Sequence, residues 1–526
     1  MRIKLLTVFL FFIGLNSWAQ DRYMVFFTDK IGSPYSVQSP EDFLSERALK
    51  RRENQQIEIT EQDLPISPVY KQGLKSIGAE VYFSTKWMNG CLVQMDENEA
   101  IAVQSLPYVT KVELVAPNAP LSYASEKNED PLPGSNNLAS FQQSMLAIDL
   151  MHSYGFYGEG MLIAVFDDGF QNLSQLNAFD HLFLDNRLLY TFDFVNNRVN
   201  VENGEDHGTR VLSIIAASEA NYTGASPHAS FILSVTEAPL EYRIEEYNWL
   251  FAAEKADSAG VDIINTSLGY KTGFSDPSMN YADIELDGKT AVITQAANMA
   301  ASKGILLVNS AGNDGDLVSA PADSPNVLAV GAINADSVLV GFSSRGSNTV
   351  GAFKPDVVAQ GVGTSLITST GNYAAQNGTS FSSPLIAGLA AGVWQAYPSK
   401  SAEELREMIK LSGNMANTPD NLYGYGIPSF ARIIESERGI YSGNEPIYTA
   451  FPNPTFDHIQ MSFSSEYFGQ QLTIQLISGN GSLKKEFLYI PFEARNPLQI
   501  DLPDSGLYFI RVMSKSESTT RKIIKY

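Results

Sequence analysis

Met161-Leu162-Ile163-Ala164-Val165-Phe166-Asp167-Asp168-Gly169-Phe170 is a short apolar run that stops at two carboxylates. Six apolar residues without polar alternation suit a strand buried on both faces, and such strands belong to parallel sheets covered by helices. Similar runs recur at 231–235, 261–266, 305–309 and 327–330, with helical patterns such as 247–259 and 291–302 between them. Residues 145–437 therefore read as α/β, a parallel sheet with helices on both faces. Ligands of such sheets meet the carboxyl ends of the strands. Asp167, which follows the first run, is then either a turn former or a site carboxylate.

The flanking sequence has other periods. Residues 21–116 read as a small α+β unit: a strand at 22–27, a helix opened by Ser39-Pro40-Glu41-Asp42, and a second opened by Ser67-Pro68 and ended by Gly78. A hairpin at 80–84 and 91–95, a capping box from Asp96 and Glu99, and a strand at 109–115 complete it. Segment 117–144 reads as a linker, and its stretch 118–137, rich in Pro, Ser, Asn and Glu, is an exposed place for proteolysis. After Gly443 short alternating strands such as 472–476 and 507–512 predict a small β-sandwich over 448–526. At the other end, residues 1–20 carry Arg2, Lys4, an apolar run over 5–15 and small residues around Ser17 and Ala19, the pattern of a signal peptide. That run is too short to span a bilayer, and no later segment is long and apolar enough to do so.

Of 526 residues 44% are hydrophobic, enough for several cores, and the formal charge is −22 with a pI near 4.7. Such acidity argues against nucleic acid or an anionic membrane surface as partner. The single cysteine, Cys91, allows no intramolecular disulfide, and its place in the alternating Cys91–Met95 run makes it a small core residue rather than a nucleophile.

Chemistry-bearing residues are few. The five histidines are His152, His181, His207, His228 and His458. His207 stands before an apolar helical pattern in Glu205-Asp206-His207-Gly208-Thr209-Arg210, where it is either a loop residue near a cap or a base. Ser310-Ala311-Gly312-Asn313-Asp314-Gly315 follows the 305–309 strand and would deliver Asn313 to the same sheet edge as Asp167; alone it reads as a turn. In Asn377-Gly378-Thr379-Ser380-Phe381-Ser382-Ser383-Pro384-Leu385-Ile386-Ala387-Gly388, Thr379 and Ser380 suit an N-cap, with Pro384 in the first turn. A cap needs one hydroxyl, and here four crowd one turn. Together these elements supply what acyl transfer by serine needs: a hydroxyl, an imidazole, a carboxylate to orient it, and a donor for the oxyanion.

The order Asp, His, Ser and six motifs resemble the subtilisin-like serine peptidases, the subtilases. The motifs are Ile163–Gly169, His207-Gly208-Thr209, Asn265-Thr266-Ser267-Leu268-Gly269, Ser310-Ala311-Gly312-Asn313, Lys354-Pro355-Asp356-Val357 and Gly378-Thr379-Ser380-Phe381-Ser382-Ser383-Pro384. The resemblance implies Ser380 as nucleophile, His207 as base, Asp167 as its orienting carboxylate, Asn313 as oxyanion donor, and Ser267, Leu268 and Gly269 as an edge for substrate backbone. Ser382 and Ser383 then serve as small packing residues. Three positions depart from the pattern: Asp168 stands where Ser, Thr or Ala is usual, Arg210 replaces a frequent His, and Gln360 a frequent Pro. The chemistry implied needs no metal or other cofactor; calcium in this family is structural, and no complete ligand loop is legible. Residues 21–116 are similar to subtilase inhibitory propeptides. Ala450-Phe451-Pro452-Asn453-Pro454 and Gly506–Val512, followed by Arg521, Lys522 and Lys525, resemble a type IX secretion sorting domain. The implied protein is a secreted or cell-surface zymogen, whose partners are protein or peptide substrates and the type IX machinery. Two other readings remain: a metal-dependent hydrolase using Asp167, Asp168, Asp206 and His207, and a binding relative without activity.

Overall fold

The computed structural model describes residues 21–117, 139–238, 240–349, 351–437, 447–451, 455, 458–463, 467–491, 498–515 and 517–525. The signal segment 1–20, the 118–137 stretch and Pro452-Asn453-Pro454 lie outside the described residues. Its contacts separate two units, Met1–Pro34 with Ile66–Ser122, and Tyr35–Pro65 with Tyr123–Tyr526.

In the first unit Glu80–Thr85, Gly90–Met95, Asp21–Phe27 and Val109–Ala116 form one antiparallel sheet in that order. Helix Pro68–Ile77 begins with its proline and ends at Gly78, whose φ of 118° is open to glycine at little cost. Asp96 and Glu99 form the capping box of helix Glu97–Gln104, and Cys91 is buried.

Segment 35–65 differs from expectation. Ser39-Pro40-Glu41-Asp42 yields only a 3₁₀ turn, Pro40–Asp42, since the Ser39 side chain makes no cap. The helix there is α1 (Glu46–Asn54), started by Ser45, which is extended and accepts the Ala48 N–H at 3.1 Å.

The second unit is built on seven parallel strands: β1 (Leu162–Asp167), β2 (Leu188–Asp193), β3 (Ser230–Val235), β4 (Ile263–Thr266), β5 (Leu306–Ser310), β6 (Val327–Ile333) and β7 (Val357–Gln360). Their order is β7-β6-β5-β4-β1-β3-β2. The helices that position the site are α2 (His207–Ala216), α3 (Ile244–Ala259), α4 (Val292–Ser302) and α5 (Thr379–Ala396). Strand alternation divides the core between two helical layers. Ile163 and Val165 join Val211, Ile215, Leu385 and Leu389 of α2 and α5, whereas Phe166 meets the Trp249 ring of α3 edge-on at 5.7 Å. Pairing places β1, β4 and β5 side by side, so Asp167, Ser267 and Ser310 emerge at one edge.

Beyond the parallel sheet in the chain, two antiparallel sheets face each other. One holds Tyr448–Phe451, His458–Phe463 and Leu498–Asp501; the other holds Leu483–Tyr489, Leu472–Ser478, Gly506–Met513 and Ser518–Lys525. Tyr448, Ile459, Met461, Ile474, Ile510 and Ile523 fill the space between them, as expected for a small sandwich.

Candidate active site

β1 ends on Asp167 itself, one residue later than the apolar run suggested. The Asp167 side chain is buried, and its Oδ1 lies 2.7 Å from Nδ1 of His207. Two glycines make that approach feasible: a Cβ on Gly208 would come within 2.4 Å of Gly169 O, and one on Gly169 within 2.3 Å of Glu205 O. The Asp-x-Gly and His-Gly pairs are thus a steric condition for bringing β1 and α2 together.

Asp206, which precedes His207, faces away. Its carboxylate takes both Arg210, at 2.8 and 3.0 Å, and the Ser369 hydroxyl at 2.6 Å. Asp168 does stay close. Asp167, Asp168 and His207 offer ligand atoms within 4.8 Å of one another, the one such group among the described residues. Asp168 Oδ1 and Asp167 Oδ2 are buried without a partner, and burial, reinforced by the Asp167 charge, holds the Asp168 carboxyl well above the usual carboxylate range. For His207, burial acts downward, but Asp167 by charge and hydrogen bond, helped by Asp168, pushes the imidazole up to about 9.

The start of α5 corrects the simple capping picture. Gly378, at φ 149°, is the N-cap, and Thr379 is the first helical residue. The external cap is Asn313: its Oδ1 accepts from both the N–H and the hydroxyl of Thr379, each at 2.9 Å. With the oxygen committed to two donors, the amide orientation is set and Nδ2 is directed away from Thr379.

Pro384 is the sixth residue of α5, not part of its first turn, so the helix loses the bond that an N–H there would give to Ser380 C=O. That carbonyl accepts instead from the Ser267 hydroxyl at 2.9 Å. In return Ser380 Oγ donates to Ser267 C=O at 3.3 Å. No hydrogen bond joins Ser380 Oγ to His207; the imidazole ring lies 5.5 Å from the Phe381 ring, next to Ser380 in the chain. Ser382 Oγ turns back to Thr379 C=O at 3.0 Å, and Ser383 Oγ reaches Asn265 Oδ1 at 2.9 Å, both in the interior. Of four crowded hydroxyls, Ser380 is the one bound only by a long bond to a loop carbonyl.

Ser267, Leu268 and Gly269 run beyond Thr266, the last residue of β4 paired on both sides. Leu268 C=O accepts the Asn309 amide at 3.0 Å, and Gly269 is exposed. Tyr270, the next residue, donates to Glu237 at 2.6 Å, tying this edge to the loop after β3. Ser267 as a bridge to α5, Thr379 as holder of Asn313, and the Glu237–Tyr270 tie are absent from the sequence reading. Only the Gly-Thr-Ser and Asn-Thr-Ser triplets hinted at the first two.

A model of the subtilase family matches residues 158–426, one of the peptidase S8 propeptide domain of Bacteroidota matches 22–130, and one of the secretion system C-terminal sorting domain matches 449–526. Subtilisin E of Bacillus subtilis (strain 168) is 27% identical over 366 residues, covering 68% of this chain and 83% of its own. Subtilisin BL of Lederbergia lenta is 30% identical over 279 residues, 52% of this chain and 91% of its own. Among solved structures, the epidermin leader peptide processing serine protease of Staphylococcus aureus is similar in fold, with a TM-score of 0.55 at 17% identity, over 80% of this chain and 98% of that one.

Proposed function

The chain belongs to the subtilase family of serine-type endopeptidases, and we propose that it cleaves protein or peptide substrates with Ser380 as nucleophile, His207 as general base and Asp167 as the carboxylate orienting it. The observation that carries this reading is the 2.7 Å bond between Asp167 and His207 Nδ1, which leaves Nε2 to take the serine proton. Rotation about the Ser380 Cα–Cβ bond would exchange the 3.3 Å contact with Ser267 for one with the imidazole; such bonds are commonly loose before substrate binds. Oγ attacks the scissile carbonyl, the imidazole takes its proton, and the same proton then goes to the leaving amine as the acyl-enzyme forms. Water repeats the sequence to release the acid. Asn313 Nδ2 and the Ser380 N–H, at the start of α5, are the donors for the oxyanion. The Ser267–Gly269 edge takes extended substrate by strand addition. Incubating the purified protein with a peptide library and a serine-directed covalent inhibitor tests class and activity at once: hydrolysis untouched by the inhibitor would refute the serine mechanism.

The pH profile offers a second check. A protonated imidazole is no base, so kcat/KM must rise as His207 loses its proton. Asp168 adds to the lift that takes the imidazole to about 9, while burial and the Asp167 charge hold its own carboxyl well above the usual carboxylate range. The acid limb is therefore expected between the ordinary imidazole value of about 6.5 and about 9. A limb below that window overturns the pairing. Asp168→Ser removes one contribution to that lift and should move the limb toward the lower end of the window. By linkage, this raised folded value stabilises the protein fully below the unfolded imidazole value, and the gain fades as pH rises through the folded one.

Residues 21–116 are proposed as an inhibitory propeptide, cut off within 118–137 ahead of a 145–437 catalytic domain; the last part of the 117–144 linker is not extended, since Ala139–Met145 is a helix with Gln142 and Gln143 buried. Residues 448–526 act as a sorting signal read by the type IX secretion machinery. Deleting 448–526 should leave turnover intact but hold the enzyme in the cell envelope, as cell fractionation with an activity assay would show; normal release speaks against the role. Calcium is proposed as no more than structural. The Asp167–Asp168–His207 group suits it poorly, because calcium prefers an all-oxygen shell of six to eight ligands.

A further inference from the structure

Asp168, one of the three departures from the subtilase pattern, has no assigned role in the proposed reaction, yet it stands beside the Asp167–His207 pair. Its N–H donates to Asp167 Oδ1 at 3.0 Å, the same oxygen that meets His207 Nδ1 at 2.7 Å. One oxygen thus holds two donors, while Asp167 Oδ2 holds none, although Asp167 is only 3% exposed. Asp168 Oδ1 is buried without a partner as well. A Ser or Thr at this position would carry a hydroxyl able to donate to a bare carboxylate oxygen, whereas an ionised Asp only accepts. Asp168 therefore puts a second unsatisfied acceptor where a donor could stand.

The surroundings do little to offset the two carboxylates. Arg210, whose charge acts on His207, is committed to Asp206 at 2.8 and 3.0 Å, and Glu205 adds negative charge beside Asp168. Two carboxylates held together out of water cost free energy until something positive joins them. What can join is set by the donor atoms. Asp167, Asp168 and His207 each offer one ligand atom, all within 4.8 Å of one another. One imidazole nitrogen and two carboxylate oxygens, with a fourth position left to water, make a tetrahedral set suited to Zn²⁺. The nitrogen on this side is Nδ1, which faces Asp167. With a metal on Nδ1 the remaining ring proton sits on Nε2, the atom that must accept the serine proton. Metal binding and general-base catalysis thus exclude one another at this imidazole.

We propose that Asp167, Asp168 and His207 Nδ1 form an inhibitory site for Zn²⁺, which holds the peptidase silent until the ion is withdrawn. The Nδ1 proton goes to solvent, the ion binds that nitrogen and one oxygen of each carboxylate, and Nε2 carries the proton left on the ring; nothing is oxidised or reduced. The site itself stands on the placement of three side chains, whereas the inhibition rests on the reading of His207 as general base.

Metal-free protein carrying Ser380→Ala is titrated with Zn²⁺ in a calorimeter, which reads binding without turnover. The parent is assayed on a peptide with and without the same Zn²⁺, and again after a chelator. A single ion is expected to bind, activity to fall as the site fills, and the chelator to restore it. Adding Asp168→Ser to Ser380→Ala should weaken binding by about tenfold or more, since loss of even an outer partner of a metal ligand costs about 10–100-fold. In the active enzyme Asp168→Ser should raise the Zn²⁺ needed for half inhibition by the same factor. Asp168→Asn keeps the shape of the side chain and should weaken binding in the same sense, which serves if Ser disturbs the fold. Absence of binding, or binding that neither substitution alters, overturns the site. Binding that depends on Asp168 while turnover is untouched overturns the inhibition. Protein that binds Zn²⁺ through Asp168 but hydrolyses no peptide even after the chelator supports the site and refutes the peptidase reading instead.

Discussion

Ser380→Ala is expected to lower kcat by about 10⁶-fold, the size of the loss measured in subtilisin itself when its serine is removed. The effect should fall on chemistry alone. Ser380 Oγ makes one long hydrogen bond, to Ser267 C=O at 3.3 Å, and its loss costs about 1 kcal/mol of stability or less. The neighbouring hydroxyls provide the contrast. Ser383 Oγ satisfies Asn265 deep in the interior, so Ser383→Ala leaves Asn265 Oδ1 buried without that donor and should reduce stability by about 1–3 kcal/mol with turnover per folded molecule retained. If kcat of folded Ser380→Ala stays near that of the parent, the nucleophile is elsewhere. A metal hydrolase built on Asp167, Asp168 and His207 predicts the reverse pattern: immediate loss of turnover with chelator in a protein that remains folded, and tolerance of Ser380→Ala.

The sequence disclosed those parts of the protein whose signals are local. Apolar runs without alternation located five of the seven parallel strands, their ends within three residues, but missed the shorter or more polar β2 and β7; the carboxyl ends of the located strands put Asp167, Ser267 and Asn313 on one edge. The family motifs supplied the grouping, because each element alone had an ordinary reading as cap, turn or loop. What stayed hidden depends on partners distant in sequence. Nothing near Asn313 says that its Oδ1 caps α5, and nothing near Pro384 says that Ser267 takes the carbonyl it frees. The Glu46–Asn54 segment is the sharpest case. By local rules its string of Glu, Arg and Lys is a solvated face, yet Arg51 and Arg52 are buried, since their partners Asp257 and Lys303 arrive from the ends of α3 and α4.

Asn313→Ala separates the two roles that one side chain fills. Its oxygen receives Thr379 N–H and Oγ–H at the first turn of α5, and its nitrogen is proposed to donate to the oxyanion. The oxyanion bond strengthens only as the tetrahedral intermediate forms, so its loss should appear in kcat, by about 10²–10³-fold, the range found for this donor in subtilisin, while KM stays within a few-fold. The capping bonds act in the folded ground state, and their loss should lower stability by about 0.5–2 kcal/mol whatever the chemistry. Asn313→Asp distinguishes the two on one protein. A carboxylate can still accept from Thr379 and favours a helix N-terminus, so much of the cap survives, but it brings no donor and sets a negative charge beside a developing oxyanion. Thermal stability of Asn313→Asp is therefore expected close to that of the parent, with kcat at least as low as in Asn313→Ala. If kcat instead follows stability across the two variants, Asn313 acts through the helix start alone, and the oxyanion must find its second donor elsewhere on that edge.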